Sequence, residues 1–213
     1  MRRKIFMTAF CVGGLLLALP SFAQNDNKFT FNVGAGFTEP VRDFGRLDVG
    51  FNVTAGAGVN LDPHLGVIAE FGFNNMGLTR RALAIAGVPD GSTRIYSLTL
   101  NPVIRLNPRG RLDAYIVGGG GYYRRTIEFT EPTIATVTLF DPFYGVFFPA
   151  AVPANTVLGS FTQNKIGWNV GAGLSVRVSQ DGNAKIFAES RYHYIYTSPR
   201  ETKILPVTFG LRW

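Results

Sequence analysis

The chain ends on the stretch Leu205-Pro206-Val207-Thr208-Phe209-Gly210-Leu211-Arg212-Trp213. Read with a period of two, one face of this stretch is wholly apolar, and the other carries proline, threonine, glycine and arginine. A soluble domain seldom ends on a half-apolar strand with an aromatic side chain at its carboxylate. A strand that closes a membrane barrel does, because it turns its apolar face to lipid and its small or polar face to the lumen. The stretch therefore predicts a barrel strand.

The amino terminus indicates export across a membrane. Three consecutive cations are followed by an uncharged, largely apolar run over residues 5–19, and Pro20 ends that run. Ser21-Phe22-Ala23 then offers a small-x-small cleavage site. This order predicts a secretory signal peptide over residues 1–23, cleaved near Ala23, and one mature domain over residues 24–213. A membrane-spanning helix is the alternative, but it needs about 20 apolar residues and this run is shorter.

The composition favours β-structure without disulfides. The single cysteine, Cys11, lies in the predicted signal peptide, so the mature chain would have no thiol chemistry. The formal net charge of +7 falls to +4 once the three leading cations are removed. The remaining arginines are scattered, which argues against a nucleic-acid partner. Glycine and aromatic residues are abundant, and no segment combines helical apolar spacing with helix caps.

Eight segments alternate between apolar residues and small or polar ones, as membrane-barrel strands do. They cover residues 28–38, 49–61, 65–74, 94–106, 112–125, 165–178, 184–196 and 205–213. The non-apolar positions are mostly glycine, asparagine, serine and threonine, which a narrow interior admits, whereas a soluble sandwich would favour lysine and glutamate there. Pro102 and Pro206 fall within strands, so each requires a bulge or an unpaired neighbour.

The connections between these strands alternate between short and long. Short turns cover residues 62–64, 107–111 and 179–183, and long loops cover residues 39–48, 75–93, 126–164 and 197–203. Outer-membrane barrels have short turns in the periplasm and long loops outside. We therefore predict an all-β fold, an eight-stranded antiparallel up-and-down transmembrane β-barrel in a Gram-negative-type outer membrane, in contact with its lipid.

Several segments together resemble a known family. They are Gly34-Ala35-Gly36, Ala55-Gly56-Ala57-Gly58, Tyr115-Ile116-Val117-Gly118-Gly119-Gly120-Gly121-Tyr122, Gly171-Ala172-Gly173, Glu189-Ser190-Arg191-Tyr192 and Phe209-Gly210-Leu211-Arg212-Trp213. With the eight-strand plan, they resemble the OmpA-like transmembrane β-barrel family. The resemblance covers essentially the whole predicted mature chain, which ends at the last strand without a peptidoglycan-binding domain and so looks like the small barrel-only members. It implies roles in adhesion, host contact or envelope integrity, and it implies that Phe209, Leu211 and Trp213 form the signal read by the barrel-insertion machinery.

Seven charged residues share the small-residue face of the predicted strands. They are Glu70, Arg105, Asp113, Arg177, Glu189, Arg191 and Arg212. Charges in a narrow lumen are costly unless opposite signs pair. Because eight strands leave an interior just wide enough for side chains, the pattern favours an ion-pair network that fills the lumen. A small solute pore lined by these charges is the alternative.

Catalysis finds little support in the residues. His64 falls in a predicted turn without a nucleophile, and His193 is expected to face the lumen near Thr197 and Ser198. We expect no catalytic, metal or cofactor site, and a lipid-modifying enzyme that uses His193 is the distant alternative. The glycine run at residues 118–121 is not a phosphate loop, because a strand rather than a helix follows it.

The longest predicted loop, residues 126–164, carries a dense aromatic set. Its members are Phe140, Phe143, Tyr144, Phe147 and Phe148. Exposed apolar surface of this size usually marks an interaction site. Such a loop could also fold over the barrel mouth, extend a hairpin from strands five and six, or dip into the lipid interface. We expect a non-enzymatic protein with an envelope-structural or surface-interaction role, in which this loop contacts an extracellular partner.

Overall fold

The computed structural model describes residues 28–41, 46–108, 110–178 and 184–213. Within these ranges eight antiparallel strands form a closed barrel, in which each strand pairs with its sequence neighbour and the last pairs with the first. The predicted eight-stranded antiparallel up-and-down barrel is confirmed. The predicted signal peptide, Cys11 and the predicted turn at residues 179–183 lie outside the described residues.

The strands begin and end close to the predicted boundaries, apart from one long pair. They are β1 (Phe29–Pro40), β2 (Gly50–Asn60), β3 (Leu65–Gly77), β4 (Asp90–Arg105), β5 (Leu112–Asp141), β6 (Val146–Arg177), β7 (Lys185–Ile195) and β8 (Thr202–Arg212). The barrel thus has a turn end, where β2–β3, β4–β5 and β6–β7 are joined, and a loop end with the longer connections.

The period of two in the sequence becomes the inside and outside of the barrel. Leu98 and Leu100 of β4 point outward and are 60% and 59% exposed, whereas Ser97 and Thr99 between them are 6% and 4% exposed. A closed barrel satisfies every backbone hydrogen bond between strands, so it can present such an apolar exterior to lipid.

Both in-strand prolines sit where the strand pairing is interrupted, as predicted. The β4–β5 register lapses between the pairs Leu100–Gly120 and Val103–Val117, which frees Pro102 on that side. The β7–β8 register lapses between Ser190–Val207 and His193–Ile204, beside Pro206. Proline has no backbone N–H to donate, so each interruption removes a bond that could not form.

The segment 126–164 is a hairpin extension rather than an irregular loop, which was one of the alternatives. β5 and β6 continue as a two-stranded ribbon to the pair Asp141–Val146, with a register shift at Phe129/Thr130. Asp141 shapes the turn: its Oδ1 accepts hydrogen bonds from the backbone N–H of Phe143 (2.8 Å) and Tyr144 (3.2 Å). Gly145 completes the turn with φ of 67°, a conformation that glycine adopts without a steric penalty.

The connection between β3 and β4, predicted as a long loop over residues 75–93, contains a short capped helix. Helix α1 spans Arg80–Ala86. Thr79 caps its first turn by accepting a hydrogen bond from the N–H of Ala82 (3.3 Å), and Gly87 caps its end at φ 67°. No described helix is long and apolar enough to cross a membrane.

The interior is more apolar than the small-residue pattern suggests. Near the turn end, Ile68, Val103, Tyr115 and Val117 form one buried cluster. Near the loop end, a second cluster packs together Met76, Ile95, Tyr123, Ile195 and Ile204. These inward side chains explain the irregular alternation in β5, where aromatic and aliphatic residues share a face with Asp113. The polar lumen therefore lies between two apolar layers.

Candidate functional site

The centre of the lumen is held by Arg191 of β7, which reaches across the barrel to β3. Its Nη1 and Nη2 donate to the two carboxylate oxygens of Glu70 at 2.8 and 3.0 Å, a bidentate pair. Its Nε donates to Glu189, two residues earlier on the same strand. Arg191, Glu70 and Glu189 are 4–6% exposed. Charge-assisted bidentate bonds of this kind fix geometry as well as charge.

Arg212 of β8 balances the second carboxylate. Its Nη2 lies 3.7 Å from Oε2 of Glu189. The same guanidinium stacks on two aromatic rings, 4.5 Å from the centroid of Tyr115 and 5.0 Å from that of Phe187. Two cations and two carboxylates thus form one buried, neutral group, which we call the lumen cluster (Glu70, Glu189, Arg191 and Arg212). Cation–π contacts of this kind strengthen when they are desolvated.

Amides and hydroxyls extend the lumen cluster toward β1 and β2. Asn32 Nδ2 donates to Oε2 of Glu70 at 3.0 Å. Further along, Thr208 Oγ1 donates to Asn52 Oδ1 at 2.9 Å, and Asn52 Nδ2 donates to the carbonyl oxygen of Phe37 at 2.8 Å. Buried polar groups need such partners, because each unsatisfied one carries a desolvation penalty.

The other three predicted lumen charges lie at the turn end and do not join the lumen cluster. Asp113 pairs with Lys185 at 3.6 Å, and Arg105 Nη2 donates to Asn60 Oδ1 at 2.6 Å. Arg177 is half-buried at the end of β6, where it pairs in register with Lys185. Lys185 was not predicted, although it has the same inward parity as Glu189 and Arg191.

His193 takes part in the packed interior. Tyr123 Oη lies 2.9 Å from its Nδ1, with the two rings edge to face. Thr197 Oγ1 bonds instead to the carbonyl of Arg200 and to Thr202 Oγ1, both at 2.7 Å. No hydrogen bond joins His193 to Thr197 or Ser198 in the part of the chain that the structure describes. In the same described ranges, no group of three or more His, Cys, Asp and Glu side chains could hold a metal ion.

The second candidate site is the far end of the ribbon. Phe143, Tyr144 and Phe147 are 86%, 73% and 72% exposed, and Phe140 and Phe148 are 53% and 42% exposed. Phe140 and Phe147 face each other across the ribbon with centroids 5.0 Å apart, and Phe143 and Tyr144 meet edge to face at 4.9 Å. These five residues, predicted as one interaction surface, thus lie together at the ribbon turn. We call them the aromatic tip.

A sequence-family model described as "Outer membrane protein beta-barrel domain" matches residues 9–212. The chain belongs to this family. Membership places the barrel in the bacterial outer membrane, which agrees with its apolar exterior and closed strand ring. A search of curated proteins finds no match.

Solved structures that align with this chain come from several bacteria. Neisserial surface protein A aligns with a TM-score of 0.57 and 15% identity, over 86% of this chain and 95% of that one. A major outer membrane protein from Thermus thermophilus aligns with a TM-score of 0.54 and 14% identity, over 87% and 98%. The attachment invasion locus protein Ail of Yersinia pestis aligns with a TM-score of 0.48 and 18% identity, over 88% of this chain and 99% of that one.

The carboxyl-terminal strand closes this outer-membrane barrel. β8 pairs with β7 on one side and β1 on the other. Trp213 exchanges two backbone hydrogen bonds with Phe31, at 2.8 and 3.0 Å, and its indole stacks on that ring at 6.3 Å. Phe209 and Leu211 point outward and are 53% and 50% exposed. The three residues predicted as an insertion signal therefore share the lipid-facing side.

We expect the wild-type barrel to show no stable ion conductance in planar lipid bilayers. Two apolar layers and the lumen cluster fill the interior, and the buried side chains Ile68, Ile95, Tyr115 and Tyr123 are 0–1% exposed. A continuous water column would have to wet these side chains. Single-channel recording of the refolded protein tests this expectation, and stable conductance steps would instead support the solute pore.

Proposed function

We propose that this protein is a non-enzymatic surface protein of the outer membrane that contacts an extracellular partner through the aromatic tip. The barrel anchors and orients the ribbon, and the lumen cluster makes that anchor rigid. We also propose that residues 1–23 are removed as a signal peptide and that the insertion machinery reads Phe209, Leu211 and Trp213. The exposure of five clustered aromatic side chains at the end of a projecting ribbon supports this role most directly.

The ribbon carries the aromatic tip well away from the barrel mouth. β4 stops pairing with β5 at Asp90–Thr130, and β5 then continues to Asp141 with β6 as its one partner strand. At about 3.3 Å per residue, this free arm is roughly 35 Å long. Phe143, Tyr144 and Phe147 keep 72–86% of their surface open to solvent, which a loop folded over the mouth would not allow.

The ribbon is built to bind through side chains rather than by adding a strand. Among the described residues, no strand pairs with its outer edges beyond Thr130 on β5 or before Ile166 on β6. Pro132, Pro149 and Pro153 interrupt the supply of backbone donors along it. Prolines at strand edges oppose edge-to-edge pairing. The tip side chains are therefore the contact surface that remains.

The charge of the ribbon limits which kinds of surface it can bind. Residues 126–164 contain three carboxylates and no lysine or arginine. Glu128 is paired with Arg94 at the ribbon base, so Glu131 and Asp141 are the charges of the free arm. An anionic surface would repel such a ribbon, whereas an apolar patch bordered by basic residues would attract it. A protein surface with exposed aliphatic side chains and flanking cations fits these properties best.

Shortening the ribbon should abolish contact while the barrel persists. Val137 and Ala150 are a cross-strand pair, so replacing residues 138–149 by Asn-Gly closes the hairpin with a two-residue turn at the same register. We expect adhesion of bacteria that display the shortened protein to host-cell monolayers and matrix-coated wells to fall about tenfold or more. Aromatic hot spots commonly contribute at least about 2 kcal/mol to an interface.

A control variant tests whether adhesion depends on the aromatic tip or on any exposed apolar residue of the ribbon. Ile134 and Val157 are exposed on the ribbon arms, at 76% and 56%, away from the turn. The Ile134→Ser/Val157→Ser variant should adhere as the wild type does. Equal adhesion by the shortened and wild-type proteins, at equal surface display, would contradict the proposed role. Binding of the tip to neutral phospholipid vesicles would show that it enters a lipid interface instead.

A further inference from the structure

A separate cavity opens at the loop end of the barrel. It has a volume of about 980 Å³ and is enclosed by residues 41, 46 and 47, by α1 and the preceding Leu78, by the base of the ribbon, and by residues 198–203. Pockets of about 300–1,000 Å³ commonly hold small-molecule ligands. None of the aromatic tip residues lines it. This space, the mouth cavity, is therefore distinct from the surface assigned above.

One part of the mouth-cavity wall is apolar. Side chains from several different segments supply it: Leu47, Leu78, Ile85, Ile127, Phe129 and Phe161. Ile85 is 79% exposed and Phe161 is 52% exposed. Large apolar side chains held open to water inside a concave site favour a ligand with an apolar body.

The remaining wall is strongly basic. Among the described residues, Arg46, Arg81, Arg125, Arg200 and Lys203 line the mouth cavity, against one carboxylate, that of Glu201. Glu201 is paired with Lys203 at 2.9 Å. Glu128, which alternates with Ile127 and Phe129 on β5, is outside the lining and pairs with Arg94 at 2.9 Å. The charge that faces the cavity is thus predominantly positive.

Two polar atoms in the lining have no hydrogen-bond partner among the described residues. Arg125 is held in place by bonds from Nη1 to Thr202 Oγ1 (2.6 Å) and from Nη2 to Gln163 Oε1 (3.3 Å), while its Nε is buried and unsatisfied. Thr93 Oγ1 is also buried and unsatisfied, in a side chain that is 1% exposed. Both atoms are closed off from the cavity, so a ligand reaches them only after a small side-chain shift; until then they keep unused hydrogen-bonding capacity.

We infer that the mouth cavity binds a small anionic amphiphile. A carboxylate, phosphate or sulfate head would accept hydrogen bonds from the arginine-rich part of the wall, and an alkyl body would cover Ile85, Phe129 and Phe161. Arginine guanidinium groups suit such oxyanions because their donors form a fork. Free amphiphiles from the medium and anionic lipid headgroups share this chemistry.

Water-soluble probes with matched tails test the inference by isothermal titration calorimetry. The full mature barrel is held in nanodiscs of zwitterionic lipid, and the empty-disc signal is subtracted. Octyl phosphate should bind saturably, with one molecule per barrel. Octyl glucoside, which has the same tail and a neutral head, and inorganic phosphate, which has the head alone, should each bind at least about tenfold more weakly, since both parts of the wall contribute. Equal affinity for octyl glucoside would overturn the inference.

Neighbouring arginines on α1 provide a matched pair of variants. Arg81 lines the mouth cavity and Arg80 does not, although both are exposed on the same helix. Arg81→Glu should weaken octyl phosphate binding about tenfold or more, while Arg80→Glu should stay within about twofold, because an exposed charge outside the site acts through screened solvent. If both variants lost octyl phosphate affinity equally, the overall positive charge of the loops would explain binding. That result would overturn the inference of a specific site in the mouth cavity.

Nanodiscs that contain anionic lipid distinguish the two sources of ligand. If headgroups from the surrounding membrane enter the mouth cavity, added anionic lipid should compete with octyl phosphate and lower its apparent affinity in the wild type but not in Arg81→Glu. If free amphiphiles are the ligand, the wild-type affinity should be unchanged. Either result requires binding to the wild type, and no saturable octyl phosphate binding in zwitterionic discs would overturn the inference.

Discussion

Replacing Arg191 by methionine is expected to destabilise the folded barrel by about 3–5 kcal/mol. The arginine is the partner of both Glu70 and Glu189, which are each 6% exposed. Methionine keeps much of the side-chain volume and removes the charge. Two carboxylates would then share one cation, Arg212, in a site that water hardly reaches. Breaking a buried ion pair is costly because it leaves an uncompensated charge rather than because an attraction is lost.

Removing the Glu70 carboxylate together with the arginine should restore much of this stability. In the Arg191→Met/Glu70→Gln variant the cluster is neutral again, because Glu189 and Arg212 remain as a pair. We expect its free energy of unfolding to lie closer to that of the wild type than to that of Arg191→Met. Urea unfolding in lipid vesicles, followed by the shift of folded and unfolded bands on unheated gels, measures all three. A double variant no more stable than Arg191→Met would contradict the charge argument.

The exposed pair Glu201–Lys203 serves as the control for these variants. Its two atoms lie 2.9 Å apart, nearly the same as the 2.8 Å of the buried pair Arg191–Glu70. Solvent screens it, so Glu201→Gln should leave the unfolding free energy unchanged within the precision of the measurement. The comparison isolates burial as the cause, since distance is matched. An equal effect at both sites would show that burial in the lumen is not what makes Arg191 important.

Which charged residues face the lumen could largely be predicted from the alternation of inward and outward positions along each strand. Strand alternation placed Glu70, Glu189, Arg191 and Arg212 on the inner face, and all four meet there. The pairing could not be read from the sequence, because Glu70 and Arg191 are 121 positions apart and become neighbours through ring closure and stagger. Lys185 also lies on the inner face by the same alternation and pairs with Asp113.

The ribbon was harder to predict because its alternation breaks down. A membrane strand separates an apolar face from a polar face, but the ribbon has no lipid side, so apolar residues such as Ile134, Leu139 and Phe140 are exposed on it. Prolines at 132, 149 and 153 also argue against a strand. A two-stranded ribbon tolerates them because each strand has one free edge. Helix α1 was missed for a different reason: at seven residues it is too short for apolar periodicity, although Thr79 and Gly87 mark its two ends.

Introducing valine at Gly119 is the second change expected to have a large effect, of about 2–3 kcal/mol or more. A Cβ at this position would lie 2.0 Å from the carbonyl oxygen of Leu100 and 2.9 Å from Cα of Asn101. These are backbone atoms of the adjacent strand β4, so a rotamer change cannot relieve the contact. The clash falls where the β4–β5 register is already interrupted next to Pro102. The strands would have to separate further at the point where they are paired least.

Gly159→Val is the matched control, because Gly159 also lies in a strand and a Cβ there would meet nothing within 4 Å. Valine has a higher strand propensity than glycine, so at an open position it should leave stability unchanged or raise it slightly. Unfolding of both variants in lipid vesicles separates the two effects. If Gly119→Val proved as stable as Gly159→Val, β4 and β5 would have room to separate, and the glycine run at 118–121 would not be required for close strand approach. If only Gly119→Val lost stability, the glycines at 118–121 would be required for the close approach of β5 to its neighbour. Their position inside the continuous strand β5 is consistent with that role.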